Sequence, residues 1–329
     1  MFLFTSNFKQ YQYVLRLLLL VVSLFIVCSA INTVIYLIRR ANNESMPIDQ
    51  LHNDFYGRKC QHNIYSVLVY GDSRTRECVD PAILSHNLSR SCFNLGLSSG
   101  GMNNFMMALL DKRLDKTEGK AVIILGVTPL TLTEEGRKND CYLNFNEKLR
   151  VNGNSMFINP EGPSVFDIIT MPFQKVLNIG FINNGKIYKG ENVSTIFHDN
   201  GWTETTITGD TKKAFRKTLE LYREKQFVNN PISQSSIDEM LKWIRKWTSE
   251  GVTVVAFRPS TSPAMEELEE KKTAFSSLQI DKKIQEAGGI WWDCSAIEYV
   301  SFDGSHLDGA TAKKFSYALA KLILENEKK

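Results

Sequence analysis

The first clear pattern along the chain is an apolar one. Residues 17–38 are uncharged and almost wholly hydrophobic, with Arg16 before them and Arg39 and Arg40 after. That length spans a bilayer as one helix, so the pattern predicts a single-pass anchor. A cleaved signal peptide would have a shorter apolar core ending in a small-residue cleavage site. Residues 39–63 are polar and read as a stalk, leaving 1–16 as a short leading segment. From Ile64 the pattern changes to short apolar runs alternating with amphipathic stretches. Strands are expected at 64–70, 92–95, 121–127, 252–257 and 289–293. Helices are expected at 80–90 after Asp80-Pro81, at 102–116 with apolar positions 105, 106, 109 and 110, and at 309–326 with 315, 318, 319, 322 and 323.

A further helix is expected from Ser235 or Ser236, either of which can cap it. Its apolar face is Ile237, Met240, Leu241, Ile244 and Trp247. Residues 263–287 are strongly charged and helical, which predicts a solvated outer face. Strands alternating with helices predict an α/β domain with a parallel sheet of about five strands over 64–329. The alternation stops between about 130 and 232, where Gly, Asn and Pro recur and periodicity is ambiguous. Structureless loops of that length are rare in compact domains, so an inserted subdomain or lid is expected. Within it, His198-Asp-Asn-Gly-Trp202 reads as a structured turn, with substrate contact by His198 as the alternative.

Charge and cysteine content narrow the class. The chain has 329 residues and a net charge of +3, with no basic run interleaved with aromatics, so nucleic acid is not an expected partner. Six cysteines show no metal-ligand or Cys-x-x-Cys spacing. Five of them (Cys60, Cys78, Cys92, Cys141 and Cys294) lie beyond the anchor, where one or two disulfides or buried free thiols are both open. Neither a phosphate-binding Gly-rich loop ending in Lys-Ser/Thr nor a His-Glu-x-x-His is present, so no cofactor or metal is expected.

The chemistry-bearing stretch is the end of the first strand, Tyr70-Gly71-Asp72-Ser73. A serine just past a strand's carboxyl end lies in the crevice where open α/β sheets bind ligands. A following helix would aim unpaired N–H groups at its oxygen. A hydroxyl needs a base, and the base needs a third group to fix its tautomer. Asp303-Gly-Ser-His306, just before the closing helix, offers both within one short turn.

These blocks resemble the SGNH (GDSL-like) hydrolases. Gly71-Asp72-Ser73 matches their first block, Asp303-x-x-His306 the last, and Phe93-Asn94-Leu-Gly96-Leu-Ser-Ser-Gly100-Gly101 the second. The third departs: Gly126-Val-Thr128-Pro129 lacks the family's asparagine, leaving Thr128 or a backbone N–H as the substitute oxyanion donor. That loss, with Trp291-Trp292-Asp293 ahead of the last block, resembles the membrane-anchored branch that modifies cell-envelope polymers, including alginate O-acetylation and lipoteichoic acid D-alanylation proteins.

The resemblance covers about residues 64–128 and 250–325. It implies a flavodoxin-like three-layer α/β/α sandwich and a catalytic triad of Ser73, His306 and Asp303. Oxyanion or substrate contacts would come from Asn94, Gly100 or Gly101, and Thr128. Arg258, at the end of the fourth strand, either contacts an anionic substrate or pairs with a carboxylate. The implied activity is that of an esterase or O-acyltransferase on an extracellular or envelope glycan or other acylated polymer. Other envelope-modification proteins are the implied partners. Lys9 and Arg16 balance Arg39 and Arg40, so the cytoplasmic amino terminus and extracytoplasmic domain rest on the resemblance. An inactive scaffold that binds polymer is the alternative from a different class, and a cytoplasm-facing thioesterase is a third.

Overall fold

The computed structural model describes residues 63–138 and 192–328, except Ser99 and Glu298, together with 188–189, 11–24 and isolated positions before residue 60. Two units divide the chain: Met1–Asp54 with Leu149–Lys186, and Phe55–Lys148 with Ile187–Lys329. In the first, residues 11–24 form a helix with exposed side chains. No helix among the described residues is long and apolar enough to cross a membrane. Much of the expected 17–38 anchor lies outside the described residues.

The second unit starts from β1 (Val67–Tyr70), which runs through α1 (Ser73–Cys78) and α2 (Pro81–Leu88) to β2 (Cys92–Asn94). Then come α3 (Asn104–Arg113), β3 (Val122–Gly126), a 3-10 turn at Leu130–Leu132 and α4 (Glu134–Lys138). After β4 (Tyr188–Lys189), β5 (Val193–Phe197) and β6 (Thr203–Ile207), α5 (Lys212–Leu221) runs into a π turn, Tyr222–Gln226. The chain closes through α6 (Gln234–Ser249), β7 (Thr253–Phe257), α7 (Pro263–Thr273), α8 (Ser277–Glu286), β8 (Ile290–Trp292) and α9 (Gly309–Asn326).

The main sheet has five strands in the order β2-β1-β3-β7-β8, every neighbouring pair parallel. Counted within that sheet this is the 2-1-3-4-5 order of flavodoxin-like doubly wound folds. Strand alternation explains the two cores. Leu68, Tyr70, Ile123, Leu125, Val254 and Ala256 share one cluster with apolar residues of α3, α6 and α8. Val67, Val69, Val122, Ile124, Val255 and Phe257 share the other with those of α2 and α9. A sheet covered on both faces needs apolar residues at every position, hence the uncharged runs. The connection leaving β1 goes to β2 on one side, and the connection leaving β3 goes to β7 on the other. The carboxyl ends of β1 and β3 therefore form a topological switch point, where such sheets open a crevice.

Gly71 is required by packing. It is not among the positive-φ glycines. A Cβ there would collide with Thr75 Oγ1 and stand 2.7 Å from Gly126 O, while one on Gly126 would strike the same threonine. Gly71→Ala should therefore destabilise by about 1–3 kcal/mol, the range for overpacking a tight core. A lowered urea midpoint at unchanged m-value checks this.

Of the expected insertion at about 130–232, residues 139–187 and 190–191 lie outside the described residues; the part described from 188 holds a separate antiparallel sheet, β4-β5-β6, followed by α5. The ends of this stretch meet at an antiparallel bridge between Thr133 and Ile232. At the β5–β6 turn, His198 N–H donates to Trp202 O and Gly201 has φ +85. His198 stacks on Trp202 and its Nε2 bonds Glu204 Oε2 at 2.9 Å, so its side chain is occupied by the turn. Trp202 is buried and donates from Nε1 to Glu77 O, pinning the hairpin to α1.

Three expectations are corrected. The stalk ends earlier than residue 63, because Phe55 and Lys59 are buried in the domain. Lys59 Nζ donates to Asn94 O, Gly96 O and Gly201 O. Ser233, not Ser235 or Ser236, is the N-cap residue of α6, and its side chain makes no capping bond. Residues 263–287 are two helices separated at Ala274, and they are not merely a solvated face: Glu269 of α7 is fully buried. Cys78, Cys92 and Cys294 are buried free thiols, whereas Cys60 and Cys141 lie outside the described residues. Burial pushes the Cys92 thiol up to about 12 and that of Cys294 to about 11.

Candidate active site

Asp72 is the N-cap of α1. Its Oδ1 accepts the Arg74 N–H at 3.0 Å and its Oδ2 accepts the Thr128 hydroxyl at 2.7 Å. This two-sided grip fixes the first turn of the helix at the switch point. Ser73 is the first helical residue, so its N–H has no intrahelical acceptor. Its Oγ lies 2.8 Å from His306 Nε2.

The partner turn is equally local in origin. Asp303 Oδ1 accepts the N–H groups of Ser305 at 2.9 Å and His306 at 2.8 Å, an Asx-type turn written into Asp-x-x-His. Its Oδ2 then faces His306 Nδ1 at 2.9 Å and accepts from Thr218 Oγ1 at 3.4 Å. Gly304 sits between them at φ +80, where a side chain would also strike the Phe215 ring of α5. Phe302 stacks on the imidazole with ring centroids 5.7 Å apart. The Asp303–His306–Ser73 line thus joins segments 233 residues apart in sequence.

Electrostatics follow from these contacts. Burial would raise the Asp303 carboxyl, but the charge and hydrogen bond of His306 and two backbone N–H groups outweigh it and hold it at about 2. For His306 burial acts downward, and the carboxylates of Asp303 and Glu77 outweigh it, raising the imidazole to about 9. A folded-state value above histidine's ordinary one has a definite sign. The contribution of His306 to stability is complete below about 6.5 and disappears as pH rises through about 9.

Other residues singled out in the sequence take different places. Asn94 is fully buried and structural: Nδ2 donates to Thr75 O and Val79 O, and Oδ1 accepts the Gly96 N–H. Thr128 is also buried, with its hydroxyl given to Asp72. Gly100 N–H donates to Leu97 O at 3.2 Å, within its own turn. Gly101 packs against Gly136, and its carbonyl accepts the Tyr70 hydroxyl at 2.7 Å. Arg258 pairs with Glu266, Glu269 and Glu270, so carboxylates of this chain occupy it.

The sequence reading missed a buried network behind the triad. Arg74 is 1% exposed; its Nε donates to Ser305 Oγ at 2.8 Å and its Nη2 pairs with Glu269. The guanidinium lies over the Tyr222 ring at 5.0 Å. The available signal was adjacency, since Arg74 follows Ser73 and Ser305 precedes His306. A groove of about 700 Å³ runs beside this centre between α5 and Phe302–Asp303, lined in part by Val193, Ala214, Lys217 and Leu221. Among the described residues, no three His, Cys, Asp or Glu side chains are grouped as a metal site requires. No protein-family model matches the chain, and no curated protein is significantly similar to it.

Proposed function

We propose that this protein is a serine-dependent acyl ester hydrolase or O-acyltransferase of the SGNH type, acting through an acyl-serine intermediate. The observation that carries the reading is the unbroken line from Ser73 Oγ to His306 Nε2 at 2.8 Å and from Nδ1 to Asp303 Oδ2 at 2.9 Å. Ser73 Oγ attacks the ester carbonyl carbon as His306 Nε2 takes its proton, and Asp303 stabilises the imidazolium. The tetrahedral intermediate collapses, the C–O bond to the leaving alcohol breaks, and His306 returns the proton to that oxygen. Water, or the hydroxyl of an acceptor, then attacks the acyl-serine with His306 again as base; the acyl bond to Ser73 Oγ breaks and His306 returns the proton to that oxygen. Oxyanion stabilisation comes from the Ser73 N–H at the start of α1. The groove beside Phe302 is large enough to receive part of a substrate. The resemblance makes an acylated envelope or extracellular glycan the proposed substrate class, presented to a domain held at the membrane by residues 17–38.

Fluorophosphonate labelling tests this reading. A single adduct on the Ser73 peptide is expected, absent from Ser73→Ala and His306→Ala. A specific observation favours the scaffold as second reading: Asn94 and Thr128, the family-like oxyanion candidates, are both committed to structural bonds. Folded protein that neither labels nor cleaves acetylated model esters would favour that reading instead.

The pH dependence is a further expected result. The base must be neutral to act, so kcat/KM for a neutral ester should rise with pH. Its acidic limb should lie well above histidine's ordinary 6.5, toward the value of about 9 set by Asp303 and Glu77. In Asp303→Asn the imidazole should titrate lower, which NMR of His306 checks directly.

A further inference from the structure

Arg74 and Ser305 flank the reacting residues, one position after Ser73 and one before His306. The 2.8 Å bond from Arg74 Nε to Ser305 Oγ therefore ties the nucleophile's helix to the base's turn alongside the reacting pair itself. Both side chains are 1% exposed, so solvent does not compete for the bond. Ser305 is held from two other sides as well. Its N–H donates to Asp303 Oδ1, and its hydroxyl donates to the Tyr222 hydroxyl at 3.4 Å. Arg74 is braced in turn by Glu269 and by the Tyr222 ring. Charge alone would be satisfied by lysine. A planar fork is what reaches a hydroxyl and a carboxylate together.

Resting on the acyl-transfer reading, we infer that Arg74, acting through Ser305, is a positioning residue that sets the approach of His306 Nε2 to Ser73 Oγ. A charged group buried between the two segments replaces a soft apolar contact with a directional one. Misplacing reacting groups by about 1 Å costs on the order of 100-fold, so such a brace matters.

The test uses Ser305→Ala, which removes the acceptor of Arg74 together with the long 3.4 Å bond to Tyr222, and Arg74→Lys, which keeps the charge opposite Glu269 but lacks the fork. Each should lower kcat for a model ester and the rate of fluorophosphonate labelling about 10- to 100-fold. KM should stay within about twofold, since uniform binding is untouched. The acidic limb of the pH profile should be unchanged in Ser305→Ala, because Asp303 keeps its bond to Nδ1. Folded variants that label at the wild-type rate overturn the inference, even if their urea midpoints fall, since the network would then be structural only. If wild-type protein neither labels nor turns over ester, the acyl-transfer reading fails and the inference falls with it.

Discussion

Ser73→Ala should lower kcat/KM for a simple aryl or acetyl ester by about 10⁴-fold or more, with little change in the urea midpoint. In the proposed acyl-serine mechanism the effect is large because the hydroxyl is the atom that forms the covalent bond, and no neighbour replaces it at 2.8 Å from the base. The stability change is small because the side chain is a single hydroxyl at a partly exposed helix start. His306→Ala should cost a similar factor, and the double variant little more, because a nucleophile without its base is as idle as a base without its nucleophile. Asp303→Asn should cost about 10⁴-fold by a different route. An amide at Oδ2 stabilises the imidazolium less and permits the other tautomer, which turns a protonated Nε2 toward Ser73. Steady-state kinetics on the four variants, with circular dichroism to establish folding, reads all of this out. Activity that survives Ser73→Ala undiminished would remove the serine from the mechanism.

The parts of this architecture that follow from local rules were legible in the chain. Runs such as Val122–Gly126 have no polar position because helices cover both sheet faces, and that alone separates them from half-exposed strands. Asp-x-x-His is a turn that builds itself, with Asp303 bonding the N–H groups two and three residues on, so pairing it with Ser73 needed only the order of elements. The start of α2 was readable from Asp80-Pro81: proline stands in the first turn and Asp80 accepts the Ala82 N–H.

What escaped depends on contacts between distant segments. Asn94 and Thr128 look like substrate donors in sequence. In three dimensions the chain's own carbonyls and carboxylates claim them first. Glu269 was concealed in a run of like charges, where nothing local distinguishes it from exposed neighbours such as Glu267. Two arginines from other parts of the chain turn one face of α7 inward. The antiparallel sheet of β4, β5 and β6 was also unreadable as strands. Val193–Phe197 and Thr203–Ile207 are half exposed and mix Ser, Thr and Glu with apolar residues, so their alternation is weak.

Glu269 carries the second large expectation, this time on stability. Its carboxylate is fully buried and shared by Arg74 through Oε1 and Arg258 through Oε2. The two cations do not depend on it equally. Arg258 retains Glu266 and Glu270, both about half exposed, and so keeps partners near water. Arg74, at 1% exposure, would be left with Ser305, the face of Tyr222 and the charge of Asp72, which acts on it without a direct ion pair. Removing one member of a buried ion pair costs about 3–5 kcal/mol, because the survivor is stranded in a low dielectric. Against a total of roughly 5–15 kcal/mol for a folded domain, Glu269→Leu should therefore bring the protein near its unfolding threshold. Adding Arg74→Met should restore much of that loss, since a buried pair replaced as a unit by apolar groups is often close to neutral. Urea midpoints of the two single variants and the double variant close the cycle. Strictly additive losses would show that the charges are not coupled. Recovery of stability in the double variant, with kcat still depressed, would separate the cost of burying Arg74 from its work at the active site.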